Sequence, residues 1–412
     1  MKFDKYPIHP KIKKNIIAQQ FKKPTDIQYK SIPSILNKED VLAVAQTGTG
    51  KTAAFAIPII QLIIESKGKD VQKPGIKCIV LVPTHELAIQ VYNVFLSFAK
   101  GTKVKVIAIY GGVDQEPQIK GLNRGVDILI ATPGRMFDLI SQGYIKTQGV
   151  EILTLDEADH MLDLGFIEDI KDLNKKLPRK RQTLFFSATI NDRIKKLAYS
   201  LIKQSAIRIQ ISPKDPVAKN IEHGVLFVEM DDKRFFLEKL INENEDLKML
   251  VFVRTKVRAE RVKKAMDRVQ ISCLTMHGDK TQEERDSIMQ SFRKGEENIL
   301  IATDLSARGI DIPDVQMVVN YDLPDKPENY VHRVGRTGRA RNQGQAVTFC
   351  SEQEKPVLKQ IEEFLTKPVY RIEMSKSMYK DVIFYSNEKE NDWERLLKAD
   401  NEFESKKKKK RR

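Results

Sequence analysis

Two strings in this 412-residue chain carry side chains suited to phosphate chemistry. The first, AQTGTGKT at 45–52, follows an apolar stretch and precedes a helix-like run. Strand, glycine turn and helix start are the context a phosphate-binding loop needs. Gly48 and Gly50 let the backbone turn its N–H groups inward, so Gln46, Thr47, Gly48, Thr49 and Gly50 are the candidate cradle. Lys51 can then reach the β- and γ-phosphates and the Thr52 hydroxyl can bind Mg²⁺. Ala45 stands where the general motif has its first glycine. The second string, DEAD at 156–159, ends an apolar run. Beside a phosphate loop, Asp156 can hold Mg²⁺ through its water shell and Glu157 can orient or deprotonate an attacking water.

The elements that must position these groups alternate. Apolar runs at 41–45, 78–82, 106–110, 127–131, 152–155 and 183–186 each end in small or polar residues and lead into helix-period segments. That is the β/α alternation of a parallel sheet, whose ligand sites lie at the carboxyl ends of the strands. Upstream of the loop, Gln28 has an amide that can pair bidentately with an adenine edge, and Phe21 can stack on the same base. A surface glutamine and a core phenylalanine fit those residues equally well on their own. The hydroxyls of Ser187 and Thr189 are placed to bond to the acidic tetrad. A proline- and charge-containing stretch at 211–217 reads as a linker, and strands are then expected at 225–228, 249–253, 299–302, 317–320 and 346–350. No second phosphate loop follows, but arginines do.

Composition narrows the class. The length suits two to three domains, and 41% hydrophobic residues suit a globular protein. No signal peptide or membrane-spanning stretch is expected, and three scattered cysteines lack metal-ligand spacing, so the expected compartment is the cytoplasm. The net charge is +15, to which the run at 406–412 contributes seven. That balance fits a phosphate-bearing partner or an acidic membrane surface, and charge does not choose between them.

Taken together, Gln28, the phosphate loop, TPGR at 132–135, DEAD at 156–159 and SAT at 187–189 resemble the DEAD-box ATP-dependent RNA helicases, in that family's order. The resemblance covers about residues 1 to 365. It implies an α/β fold of two tandem RecA-like domains with a short basic C-terminal tail. The expected boundaries are 1–208 for the ATP-binding domain, 209–219 for the linker, 220–366 for the second domain and 367–412 for the extension. It implies ATP and Mg²⁺ as cofactors and RNA, single strand or short duplex, as partner, with no membrane and a monomeric core. In HRVGRTGR at 332–339, Arg336 and Arg339 would be arginine fingers on the γ-phosphate, although by spacing alone they also suit plain binding of RNA phosphates. The resemblance also has His332 connect to Asp159, Ser187 and Thr189, and Asp311 bond the ribose. It places Thr84, Gly112, Thr132 and Arg135 on RNA in the first domain, and Gly278, Gln282, Arg285, Thr303 and Arg308 in the second. Such hydroxyls, amides and guanidiniums position a backbone without reading bases.

One residue departs from the family pattern: His85 stands where arginine is usual, which predicts a weaker or pH-sensitive phosphate contact. Two functions share these motifs, an unwinding enzyme of ribosome assembly or RNA decay and an ATP-gated RNA clamp that serves as a platform for partners. A strand is expected at 370–374 and a short helix at 392–398. The basic tail suits either nonspecific RNA holding or solubility alone.

Overall fold

The protein is described by a computed structural model covering residues 2–46, 48–69, 75–211, 217–218, 220–307, 312, 315–338 and 343–386. Thr47, Arg308, Asp311, Arg339, the segment 392–398 and the basic tail lie outside the described residues. The chain divides into two compact units, with the change at residue 214/215.

The first unit is built on a seven-stranded parallel sheet. Its strands are β1 Val41–Ala45, β2 Cys78–Leu81, β3 Val106–Ile109, β4 Ile128–Ala131, β5 Ile152–Leu155, β6 Gln182–Ser187 and β7 Ile207–Ile211. They lie side by side as β3-β4-β2-β5-β6-β1-β7. Five of them are buried along their whole length, which is why they read as unbroken apolar runs. Their side chains alternate between two cores. Val41, Ala43 and Ala45 face the layer holding Phe55, Phe95 and Phe186, whereas Leu42, Ile79 and Leu81 face the layer holding Met136, Met161 and Phe185. Burying each of the larger of these, the Val, Leu, Ile, Met and Phe side chains, contributes about 1.5–3 kcal/mol.

The second unit has its own seven-stranded parallel sheet: β8 Ile221–Phe227, β9 Met249–Val253, β10 Leu274–Met276, β11 Ile299–Thr303, β12 Met317–Asn320, β13 Gly344–Cys350 and β14 Tyr370–Arg371. Its order is β10-β11-β9-β12-β13-β8-β14, the order of the first sheet with every index raised by seven.

Two expected boundaries fall inside these units. β7 pairs with β1 through Ile211, so the sheet extends past residue 208 into the expected linker. Ile-Arg-Ile-Gln-Ile alternates apolar and polar, the pattern of an edge strand, and Ile209 is buried. At the other end, β14 pairs with β8, and the helix Lys376–Phe384 packs on Lys233–Asn242. The Tyr379 hydroxyl donates to Asp232 Oδ2 at 2.7 Å, so residues 370–386 belong to the second unit rather than to a separate extension.

Candidate active site

The phosphate loop sits between β1 and the helix Lys51–Lys69. Gly48 and Gly50 have φ of +81° and +89°, which side-chain-bearing residues rarely adopt. A Cβ on Gly50 would also meet Gln28 Nε2 at 2.5 Å. Lys51 is buried, and its ammonium donates to Ala45 O at 2.8 Å, folding the side chain back over the loop. The Thr49 hydroxyl donates to Gln46 O at 2.7 Å. Thr52 is partly exposed on the first turn of the helix.

Gln28 is fully buried and fixed from both ends. Its Oε1 accepts from Thr25 N at 3.0 Å, closing the capping box of the helix Asp26–Leu36, while Nε2 donates to Gly50 O at 3.1 Å. An amide has two donors and two acceptor lone pairs, so these two bonds use one of each. Thr25-x-x-Gln28 was a readable sign of that cap. Phe21 packs edge-on to Phe98 at 5.6 Å and to Phe3 at 6.3 Å, at the margin of the core.

The acidic tetrad follows β5. Asp156 is buried, and its carboxylate accepts from Glu157 N at 3.0 Å. Burial pushes the Asp156 carboxyl up to about 7; Lys51 opposes the shift and Glu157 and Asp159 add to it. Glu157 has φ +52°, a left-handed backbone that costs a residue with a Cβ about 1 kcal/mol or more. Its Oε2 lies 3.5 Å from His160 Nδ1. Asp159 Oδ2 accepts from both the amide and the hydroxyl of Thr189, at 3.1 and 3.0 Å. The Ser187 hydroxyl donates to Thr189 O rather than to the tetrad. Since β5, β6 and β1 are neighbours, Asp156, Ser187 and the loop before Lys51 come together at one edge of the sheet.

The other half of that edge carries the remaining first-unit positions. Thr84 follows β2 and caps the helix His85–Ala99 by accepting from Leu87 N at 3.2 Å. Gly112 follows β3 with φ +80°, and Thr132 stands at the N-cap position of the helix Pro133–Ser141 after β4 without a side-chain capping bond. Arg135 Nη2 donates to Val113 O at 2.8 Å, which joins the last two turns. His85 does not project into solvent. It is 8% exposed and stacks on Tyr110 at 3.8 Å, a contact with no sequence signal.

In the second unit, Gly278 follows β10 and Thr303 ends β11, strands that correspond in order to β3 and β4. The Thr303 hydroxyl bonds to the Ser306 hydroxyl at 3.1 Å. Gln282 and Arg285 lie on the helix Gln282–Lys294, where Gln282 Nε2 donates to Asp286 Oδ1 at 3.0 Å. His332 is on the helix Pro327–Val334, and Arg336 is buried just past it, with Nε donating to His332 O at 3.3 Å. Between them is Arg333, which the sequence did not single out. It is 1% exposed and grips Asp304 bidentately at 2.6 and 2.8 Å while Nη1 donates to Asp322 O at 2.6 Å.

The sequence model of the DEAD/DEAH box helicases matches residues 25–197, and that of the helicase conserved C-terminal domain matches 232–341. The ATP-dependent RNA helicase CshA of Listeria monocytogenes is 40% identical over 366 residues, 89% of this chain and 69% of the relative. The ATP-dependent RNA helicase RhlB of Shewanella oneidensis is 39% identical over 375 residues, 89% of this chain and 84% of the relative. The chain belongs to the DEAD-box RNA helicase family. Among solved structures, S. cerevisiae Dbp5 bound to RNA and ADP BeF3 is similar at a TM-score of 0.81 and 30% identity, covering 92% of this chain and 98% of that one. The two parallel sheets of this DEAD-box protein are thus tandem RecA-like domains, and the protein is an ATP-dependent RNA helicase. No described helix is long and apolar enough to cross a membrane.

Proposed function

We propose that this helicase binds ATP with Mg²⁺ at the loop before Lys51 and hydrolyses it through Glu157 to remodel short RNA duplexes without reading their sequence. The observation that carries this reading is the meeting of Lys51, Asp156, Glu157 and the Asp159–Thr189 pair at the adjacent ends of β1, β5 and β6. The donor set suits Mg²⁺, which takes one or two carboxylates together with substrate phosphates and water. Asp156 and Thr52 would hold the ion, and the ion would offset charge on the phosphates. Lys51 would leave Ala45 O for the γ-phosphate. Gln28, tied to Gly50, would pass the presence of adenine to the loop.

Arg336 and Arg339 would complete the site from the second domain, with His332 joining it to Asp159, Ser187 and Thr189, and Asp311 holding the ribose. RNA backbone would run along Thr84, Gly112, Thr132 and Arg135, and along Gly278, Gln282, Arg285, Thr303 and Arg308. Binding of each ligand to both domains would couple the two affinities. A cytoplasmic, monomeric enzyme of ribosome assembly or RNA decay fits this chemistry.

Glu157→Gln tests the reading. It is expected to keep ATP and RNA binding while RNA-stimulated hydrolysis falls by about 10²–10⁴, the usual share of a general base. Hydrolysis at the wild-type rate would overturn the assignment.

A further inference from the structure

At the opposite, amino-terminal edge of the first sheet lies a cavity of about 450 Å³ that the nucleotide chemistry does not use. It opens among Asp40 before β1, the loop leading into β6, and the residues between the helix Asp192–Leu201 and β7. Four cations line it, Lys175, Arg179, Arg181 and Lys203, against one carboxylate, Asp40. That carboxylate is already occupied. It accepts from Thr183 N at 2.9 Å, Lys203 N at 2.8 Å and the Lys203 ammonium at 3.4 Å.

The floor is rigid. Arg181 is 9% exposed, with Nη1 donating to Pro178 O at 2.8 Å and Nη2 bonded to Asn174 Oδ1. The Arg181 Nε is buried with no partner, so its positive charge is incompletely used by the protein. At the rim, Lys175 is held by Asp172 at 2.8 Å, whereas Arg179 is exposed and its side chain has no partner among the described residues. The surrounding sequence, KKLPRKR at 175–181, adds Lys176 and Lys180, both exposed.

We propose that this cavity is a second phosphate-binding site, which takes the backbone of RNA extending beyond the motif-bearing edge. An excess of cations around a polar floor suits a phosphodiester, and guanidinium forks match phosphate geometry. An acidic protein segment fits less well, because no aromatic residue lines the cavity to anchor it. Strands of five or six residues set the two edges about 17–20 Å apart, a span that a flexible RNA crosses easily.

The test compares the full chain with the double variant Lys175→Gln, Arg179→Gln by fluorescence anisotropy. Two uridine-rich RNAs are used, of about 8 nucleotides, within one binding groove, and of about 40. The variant is expected to bind the short RNA like wild type and the long one about 3–10-fold more weakly, with the salt slope reduced by about 1. The charge-keeping pair Lys175→Arg, Arg179→Lys is expected to match wild type on both. The short RNA reads only the motif-bearing edge, so a failure there is distinct from a failure of this site. Unchanged affinity of the variant for the long RNA would overturn the proposal, and so would an equal loss on both lengths. Variant-sensitive binding of inorganic phosphate with no change on long RNA would make the cavity a free-anion site and overturn the RNA assignment. Variant-sensitive binding of polyglutamate at the same salt concentration would overturn the preference for phosphate.

Discussion

The two domains place a lysine at the same point of the same topology and use it in opposite ways. Lys51 begins the helix after β1, and Lys233 begins the helix after β8, the corresponding first strand. Each faces a carboxylate beyond the corresponding fifth strand, Asp156 after β5 and Asp322 after β12. In the first domain the ammonium has a carbonyl, Ala45 O, and a carboxyl that burial disposes to stay protonated. In the second it is sealed in: Lys233 is 0% exposed, 2.6 Å from Glu354 Oε2 and 2.7 Å from Tyr321 O. Glu354 accepts further from Ser351 N and Leu323 N, and interactions with Lys233 and Ser351 hold its carboxyl below its ordinary range despite burial. An internal carboxylate thus supplies the second domain with the negative charge that, under the proposed function, a nucleotide would bring to Lys51 in the first.

Exchanging the two roles should give the largest effects. Lys51→Ala is expected to lower RNA-stimulated hydrolysis by about 10²–10³, the usual loss of one preorganised donor, with thermal unfolding nearly unchanged. Lys233→Ala is expected to cost up to about 3–5 kcal/mol of stability, because buried Glu354 loses its closest cation and keeps Arg254 at 3.5 Å, while Asp322 retains Arg258 at 3.2 Å. Removing both partners, Lys233→Met with Glu354→Gln, should recover part of that loss. The contrast fails if Lys51→Ala unfolds the first domain, or if Lys233→Ala melts like wild type.

The first half of this contrast could be read from the sequence and the second could not. Gly48, Gly50, Lys51 and the DEAD string lie within a few residues of their strand ends, so local pattern and spacing announce them. Lys233 and Glu354 are 121 residues apart, and nothing local marks either as the other's partner. Arg333 was hidden differently: it sits in an arginine-rich string among residues with functional signals, and only burial reveals it as a structural clamp on Asp304. β10 has three residues and β7 alternates, so neither gave the long apolar run that marked the central strands. The His85–Tyr110 stack joins a helix start to a strand end and left no periodic trace.

A second way to sharpen the comparison uses pH. Because burial raises the Asp156 carboxyl to about 7, the nucleotide-free folded chain holds a proton there that the unfolded chain releases near pH 4. Through this group, stability therefore falls as pH rises from about 4 to 7 and stays low above that. Asp156→Asn is expected to gain on the order of 1–3 kcal/mol at pH 8 and little at pH 4, measured by denaturant unfolding without nucleotide. An offset that does not change with pH would show that the carboxyl ionises at its ordinary value.

The smallest effect has the opposite sign and lies in the second domain, beside Gly278. Glu260 accepts from the His277 ring at 2.8 Å and the Thr275 hydroxyl at 2.9 Å, with the Lys280 ammonium 3.4 Å away. The His277 hydrogen bond leads these in drawing its carboxyl down to about 2. Its stabilisation is therefore complete above the ordinary glutamate range and disappears as pH falls from about 4.5 to 2. The side chain is 40% exposed, so solvent screening limits Glu260→Gln to a loss of about 1 kcal/mol or less at neutral pH. A loss that persists unchanged at pH 2 would mean that packing, not charge, ties the helix Lys256–Arg268 to the turn at Gly278. A loss confined to higher pH would show that charge holds Glu260 in the second domain, with the opposite sign to the buried Asp156 of the first.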